Sequence, residues 1–189
     1  MEFITNHLLT AVVFMPLLFA GILGCLPSEG DASKKLLKTA ALVFSLVVFA
    51  VSCFLYTSFD SSQAGFQFSE KIEWLPQFGI SYSLGIDGIS LLLILLTTFL
   101  TPIVILGSWN AVEEKLKSYL MLILVLETGM LGAFVALDVI LFYVFWEAML
   151  IPMYFLIGVW GGQQRVYASM KFFLYTLVGS LLMLVAIFY

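Results

Sequence analysis

The sequence predicts an all-α integral membrane protein with six transmembrane helices. Three observations lead there. First, 62% of the 189 residues are hydrophobic and only 11% are charged, where a soluble domain carries about a quarter. Second, the apolar residues gather into six runs, each near the ~20 residues that cross ~30 Å of hydrocarbon. Third, the basic residues sort by connection: of eight Lys and Arg, only Lys71 falls in an even-numbered one.

The spans are read as Ile4–Leu26, Leu36–Phe59, Leu84–Gly107, Ser118–Leu137, Val139–Trp160 and Ser169–Tyr189. Each must be helical, because lipid offers a backbone amide no other partner. The first run lacks a basic flank and a small-residue cleavage site, so it reads as a span and not a signal peptide. Lys34, Lys35 and Lys38 lie at the first connection, Lys115 and Lys117 at the third, Arg165 and Lys171 at the fifth. The positive-inside rule then places the N-terminus outside and the odd connections in the cytoplasm. Lys171 is near enough to a helix end to snorkel. Trp109, Tyr119, Trp160 and Tyr167 fall near the expected interfaces, where amphipathic rings are favoured.

The chain divides into residues 1–107, three helices with an outer loop or hairpin at 60–83, and residues 108–189, whose sixth helix is cut at Tyr189. In the long connection, "FQFSEKIEW" and "ISYSL" alternate imperfectly at period two around "PQFG", which predicts a β-hairpin; a plain connector is the other reading. Tyr189 falls in mid-helix with no cap or charged flank, so a longer chain is expected. Cys25 and Cys53 lie toward opposite faces, too far apart for a disulfide. Asp87 opens a helical run and reads as its cap. The pairs Gly129/Ala133 and Gly132/Ala136 permit close helix packing. His7 reads as structural. There is no Gly-rich phosphate loop, no metal-spaced Cys or His cluster and no basic cluster for nucleic acid.

Chemistry concentrates in two carboxylates. Glu147 lies near the middle of "LFYVFWEAMLIPMYFLIGVW", where a charge costs at least ~2.5–3.5 kcal/mol on insertion scales. Such acids face a protein interior or a wet cavity and are functional by default. Glu127 precedes the turn at Asp138 and Glu147 follows it. Both therefore lie roughly 13–17 Å below the same surface, at matching depth on antiparallel neighbours. A pair of this kind can relay a proton. Tyr143 and Tyr154 share the helical face of Glu147 and can hold its carboxyl or a water, or simply pack. Pro152 removes a backbone bond and can kink the helix beside the acid. The bland alternative for each acid is a structural hydrogen bond to a neighbouring helix.

The stretches "LGIDGISLLLILLTTFLTPIVIL", "ETGMLGAFVALDVILFYVFWEAMLIPMYFLIGVWGG" and "SMKFFLYTLVGSLLMLVAI" resemble the antiporter-like chain M (chain 4) subunits of bacterial NADH:quinone oxidoreductase, respiratory complex I. The resemblance covers nearly the whole chain and is strongest from Leu84 onward. It implies the N-terminal part of a fourteen-helix fold with two inverted five-helix repeats, and a multi-pass place in the bacterial inner membrane. It implies that Glu147 is the family's essential glutamate and Glu127 a supporting acid, whose lysine partners lie on later helices. NADH, FMN, iron–sulfur clusters and quinone are then expected in partner subunits, with no cofactor in this chain. The expected partners are other complex I membrane subunits, with the outer hairpin against a neighbouring antiporter-like chain. Rival readings are a subunit of a multi-subunit Na⁺/H⁺ antiporter, a related membrane-bound hydrogenase or ferredoxin-linked complex, and an inert truncated fragment or assembly factor.

Overall fold

The computed structural model describes residues 7–63 and 65–189. Residues 4–6 of the first expected span lie outside them. In chain order the elements are α1 (Leu8–Cys25), α2 (Asp31–Thr57), β1 (Gln67–Leu75), β2 (Ile80–Ile86), α3 (Gly88–Gly107), α4 (Leu116–Val135), α5 (Val139–Ala148), α6 (Leu150–Trp160) and α7 (Arg165–Phe188). With α5 and α6 taken as one span, Val139–Trp160, six helices are long and apolar enough to cross a membrane.

Two boundaries differ from the hydropathy reading. Helix α2 begins at Asp31, a turn before the apolar run, so Lys34 and Lys35 ride on a helix and not in a loop. An acidic residue in a first turn favours that start, since it faces the positive end of the helix dipole. Leu84 and Ile86, assigned by hydropathy to a span, are in β2 instead and are fully buried. They are apolar because they pack under the bundle, not because they face lipid.

The hairpin is antiparallel, with Glu70 opposite Leu84 and Ile72 opposite Tyr82. A short 3-10 turn over Pro76–Phe78 reverses the chain, and Gly79 follows at φ 69°, a left-handed conformation that glycine adopts without strain. Pairing shifts register between Gln67 and Glu70, where Phe68 has φ 53°. Such a bulge re-aims the side chains that follow it. Here Glu70 turns inward while Ile72 and Trp74 are exposed.

Two apolar clusters fill the bundle. One lies at the hairpin end and includes Leu9, Val13, Leu84, Ile86, Ile94 and Leu131. The other lies at the lysine-rich end and includes Leu23, Leu37, Ile105, Leu116 and Leu124. On α4, Leu124 belongs to the second and Leu131 to the first, so Glu127 sits at the seam between them.

Helices α4 and α5 approach closely because Gly129 and Gly132 lack side chains. A Cβ on Gly132 would collide with the Phe145 ring, and one on Gly129 with Met149. The turn between these helices is tied to the hairpin by Leu137 N–H donating to Ser83 O at 2.8 Å. Asp138 accepts from Ile140 N at 2.9 Å and Leu141 N at 3.2 Å through one oxygen, and from Ser81 N at 2.9 Å through the other. It caps α5 and anchors β2 together. Asp87 caps α3, accepting from Ser90 N at 2.7 Å.

Candidate functional site

Glu127 has no solvent exposure, and among the described residues neither carboxyl oxygen has a hydrogen-bond partner. Its neighbour across the helix contact is Thr101 of α3. That face of α3 carries three buried threonines, each donating to its own helix: Thr97 to Leu93 O at 2.9 Å, Thr98 to Ile94 O at 2.9 Å, Thr101 to Thr97 O at 3.1 Å. Back-bonding leaves each hydroxyl oxygen able to accept. The Thr98 hydroxyl also lies 2.7 Å from that of Ser52 of α2. Beside Glu127, Leu126 and Met130 line a cavity of about 320 Å³ that also touches Thr97, Thr101 and Met153 of α6. A carboxylate buried without a partner costs several kcal/mol, so this position needs a bound proton or a counter-cation.

Glu147 is half-buried near the end of α5. Its Oε1 is fully covered and has no hydrogen-bond partner. Tyr143, one turn earlier, faces Glu147 and Ser180 of α7. The helix breaks at Met149, two residues beyond Glu147. Pro152 supplies the reason: it has no N–H for the carbonyl of Ala148. The acid thus sits beside a weakened turn of backbone.

The two carboxyls do not meet. Helices α4 and α5 touch through Gly129 and Gly132 on one side and Phe145 and Met149 on the other. Each acid is two residues from that contact, about 200° round its helix. Glu127 therefore turns toward α3, and Glu147 toward α7. Transfer between them needs an intermediate group. Tyr154 also separates from Glu147: its hydroxyl lies 3.5 Å from Met170 Sδ, and its ring packs edge-on against Phe173 at 5.7 Å. The packing reading of Tyr154 is the one its contacts match.

Sequence reasoning missed Glu70, treating it as one more loop acid. It is 6% exposed and receives Leu9 N–H at 2.8 Å, Thr10 N–H at 3.2 Å and the Thr10 hydroxyl. His7 Nδ1 stands 3.9 Å away. Period-two alternation carries no signal for this burial: Phe66, Ile72 and Trp74, in phase with position 70, are exposed, and the bulge at Phe68 turns Glu70 inward.

The sequence model described as "NADH-ubiquinone oxidoreductase chain 4, amino terminus" matches residues 8–133. The chain belongs to that family. A second model, "NADH:quinone oxidoreductase/Mrp antiporter, TM", matches residues 136–189, which include Glu147. NADH-quinone oxidoreductase subunit M of Rhodobacter capsulatus is 48% identical over 96% of this chain, and NADH-ubiquinone oxidoreductase chain 4 of Arabidopsis thaliana is 46% identical over 95%. This chain spans 35% and 36% of those relatives.

Among solved structures, respiratory complex I from Thermus thermophilus with bound NADH superposes with a TM-score of 0.79 at 29% identity, over 95% of this chain and 35% of that one. The Mrp complex from Dietzia sp. DQ12-45-1b gives a TM-score of 0.76 at 19% identity, over 94% of this chain and 19% of that one, a likeness of fold alone. The chain is thus a multi-pass membrane protein of the complex I family fold.

Proposed function

We propose that this chain serves in a proton-translocating membrane subunit of an NADH:quinone oxidoreductase, in the bacterial inner membrane, with the N-terminus outside. Electron carriers reside in partner subunits, and the hairpin faces a neighbouring antiporter-like chain. Glu147 carries the proton, Tyr143 holds it in place, and Glu127 is a second proton-holding station beside Thr101. Pro152 weakens the backbone next to Glu147, and Tyr154 packs the helix pair. The observation that carries this reading is the covered, unpartnered Glu147 oxygen at a helix break inside an apolar span. Maintaining such a group against its desolvation cost is expected where a proton must stop.

The test is Glu147→Gln in the full-length protein within its native complex. Assembly and NADH oxidation are measured beside proton uptake into vesicles. The expected result is an assembled complex with pumping lowered at least tenfold. An assembled variant that pumps normally overturns the assignment. A second reading, a subunit of an Na⁺/H⁺ antiporter complex, is favoured by the shared family description over residues 136–189. Gentle-detergent purification separates them: co-purifying NADH:quinone reductase activity supports the first, and Na⁺/H⁺ exchange without redox activity supports the second.

A further inference from the structure

The lysine-rich end of the bundle is organised as a pocket. Lys117 Nζ donates to Leu26 O at 2.9 Å, and Lys38 Nζ donates to Trp109 O. Lys117 thereby ties α4 to the α1–α2 connection, and Lys38 ties α2 to the α3–α4 connection. Two adjoining cavities of about 210 and 320 Å³ open between the tied segments and share Lys34 and Glu113. Five lysines line them against two carboxylates, Asp31 and Glu113. Among the described residues no ion pair engages Lys34, Lys35 or Lys115. Ser28 and Ser118 add hydroxyls to the larger cavity. Lys115 is held in a left-handed conformation at φ 50°, immediately before α4.

Uncommitted ammoniums and hydroxyls around one concavity suit a phosphate-bearing anion. The location identifies its source. The pocket lies where the spans α1, α2 and α4 end, beside Trp109. From Leu36, next to Lys35, an apolar stripe of Val43, Val47 and Phe54 runs along α2, and all four are at least 40% exposed. An anion with an acyl tail matches both halves, and a free anion matches only the first. We propose that this pocket binds the headgroup of an anionic phospholipid, with Lys34, Lys35 and Lys115 on the phosphate and an acyl chain along the α2 stripe.

The experiment uses the full-length protein in its purified, delipidated complex. A photoreactive phosphatidylglycerol is cross-linked and its sites are mapped by peptide mass spectrometry. Cross-links are expected at residues 26–38 and 113–118. Unlabelled phosphatidylglycerol should displace the probe, whereas phosphatidylcholine and inorganic phosphate should not. At roughly 1 kcal/mol per lysine, K34A/K35A/K115A should weaken displacement by phosphatidylglycerol about 100-fold. The all-arginine variant should keep affinity within a few-fold, and Lys71→Ala on the hairpin should change nothing. Unchanged affinity in the triple alanine variant overturns the proposal. So does equal competition by phosphatidylcholine, which marks a purely apolar groove, or by inorganic phosphate, which marks a free-phosphate site.

Discussion

The carboxylate of Glu70 accepts the backbone N–H of Leu9 at 2.8 Å, so a strand residue caps the first turn of a helix 61 positions earlier in the chain. Among the described residues, no side-chain capping bond comes from His7, the residue at the N-cap of α1. Glu70 supplies the acceptor and also places negative charge at the positive end of the helix dipole. The hairpin is thereby fastened to the bundle. Tyr82 of β2 adds a second contact, its hydroxyl 2.9 Å from that of Thr10.

Glu70→Ala should destabilise the protein by about 1–3 kcal/mol, since it removes the acceptor of the buried Leu9 amide and of the part-buried Thr10 amide. Thermal unfolding in detergent reads the loss, and limited proteolysis should show faster cleavage within 60–86. Glu70→Gln keeps one acceptor and should cost less. Equal behaviour of the alanine variant and the parent would exclude the cap as a determinant of hairpin docking.

Gly132→Ala should cost about 1–3 kcal/mol, because the added methyl meets the Phe145 ring in a packed interface. Pairing it with Phe145→Ala should recover part of that loss, which a double-mutant cycle measures. Additive losses would show that α4 and α5 do not meet through this pair.

Asp138 predicts a dependence on pH. Partial burial pushes its carboxyl up, but bonds from Ser81, Leu141 and Ile140 outweigh that and hold it below the ordinary value of 3.8. A depressed carboxyl stabilises the fold above its unfolded pKa, and that contribution fades as pH falls through the lower folded value. Acid unfolding between about pH 5 and 2 should therefore be shallower in Asp138→Asn, with the two proteins converging at the acid end. Parallel curves would remove Asp138 from the acid response.

Glu127 separates stability from function. Replacing a buried acid that lacks a partner by an apolar residue of similar volume removes its desolvation penalty. Glu127→Leu should hold or raise the melting temperature while slowing proton uptake in the full complex. Lower stability with normal pumping would make it a structural acid.

The tyrosines should differ. Tyr143→Phe removes the hydroxyl that faces Glu147 and should lower pumping several-fold. Tyr154→Phe removes one that meets only Met170 Sδ and should leave pumping within twofold. Equal effects would restore Tyr154 to the site.

The sequence by itself determined the membrane class, the six spans, the helix cap at Asp87 and the place of Glu147 within an apolar span. These are local properties: hydropathy summed over ~20 residues, or a side chain reaching its own backbone. Tertiary structure alone decided which way each side chain faced its neighbours. Equal depth suggested that Glu127 and Glu147 meet, but the Gly129–Met149 and Gly132–Phe145 contacts rotate the acids to opposite sides. Glu70 looked like a solvated loop acid until a bulge at Phe68 turned it onto α1. Lys34 and Lys35 counted as loop charge until α2 extended a turn beyond its apolar run. The physical reason is common to all three. Depth and composition depend on position along one helix, whereas azimuth and register depend on which residues the partner element brings into contact.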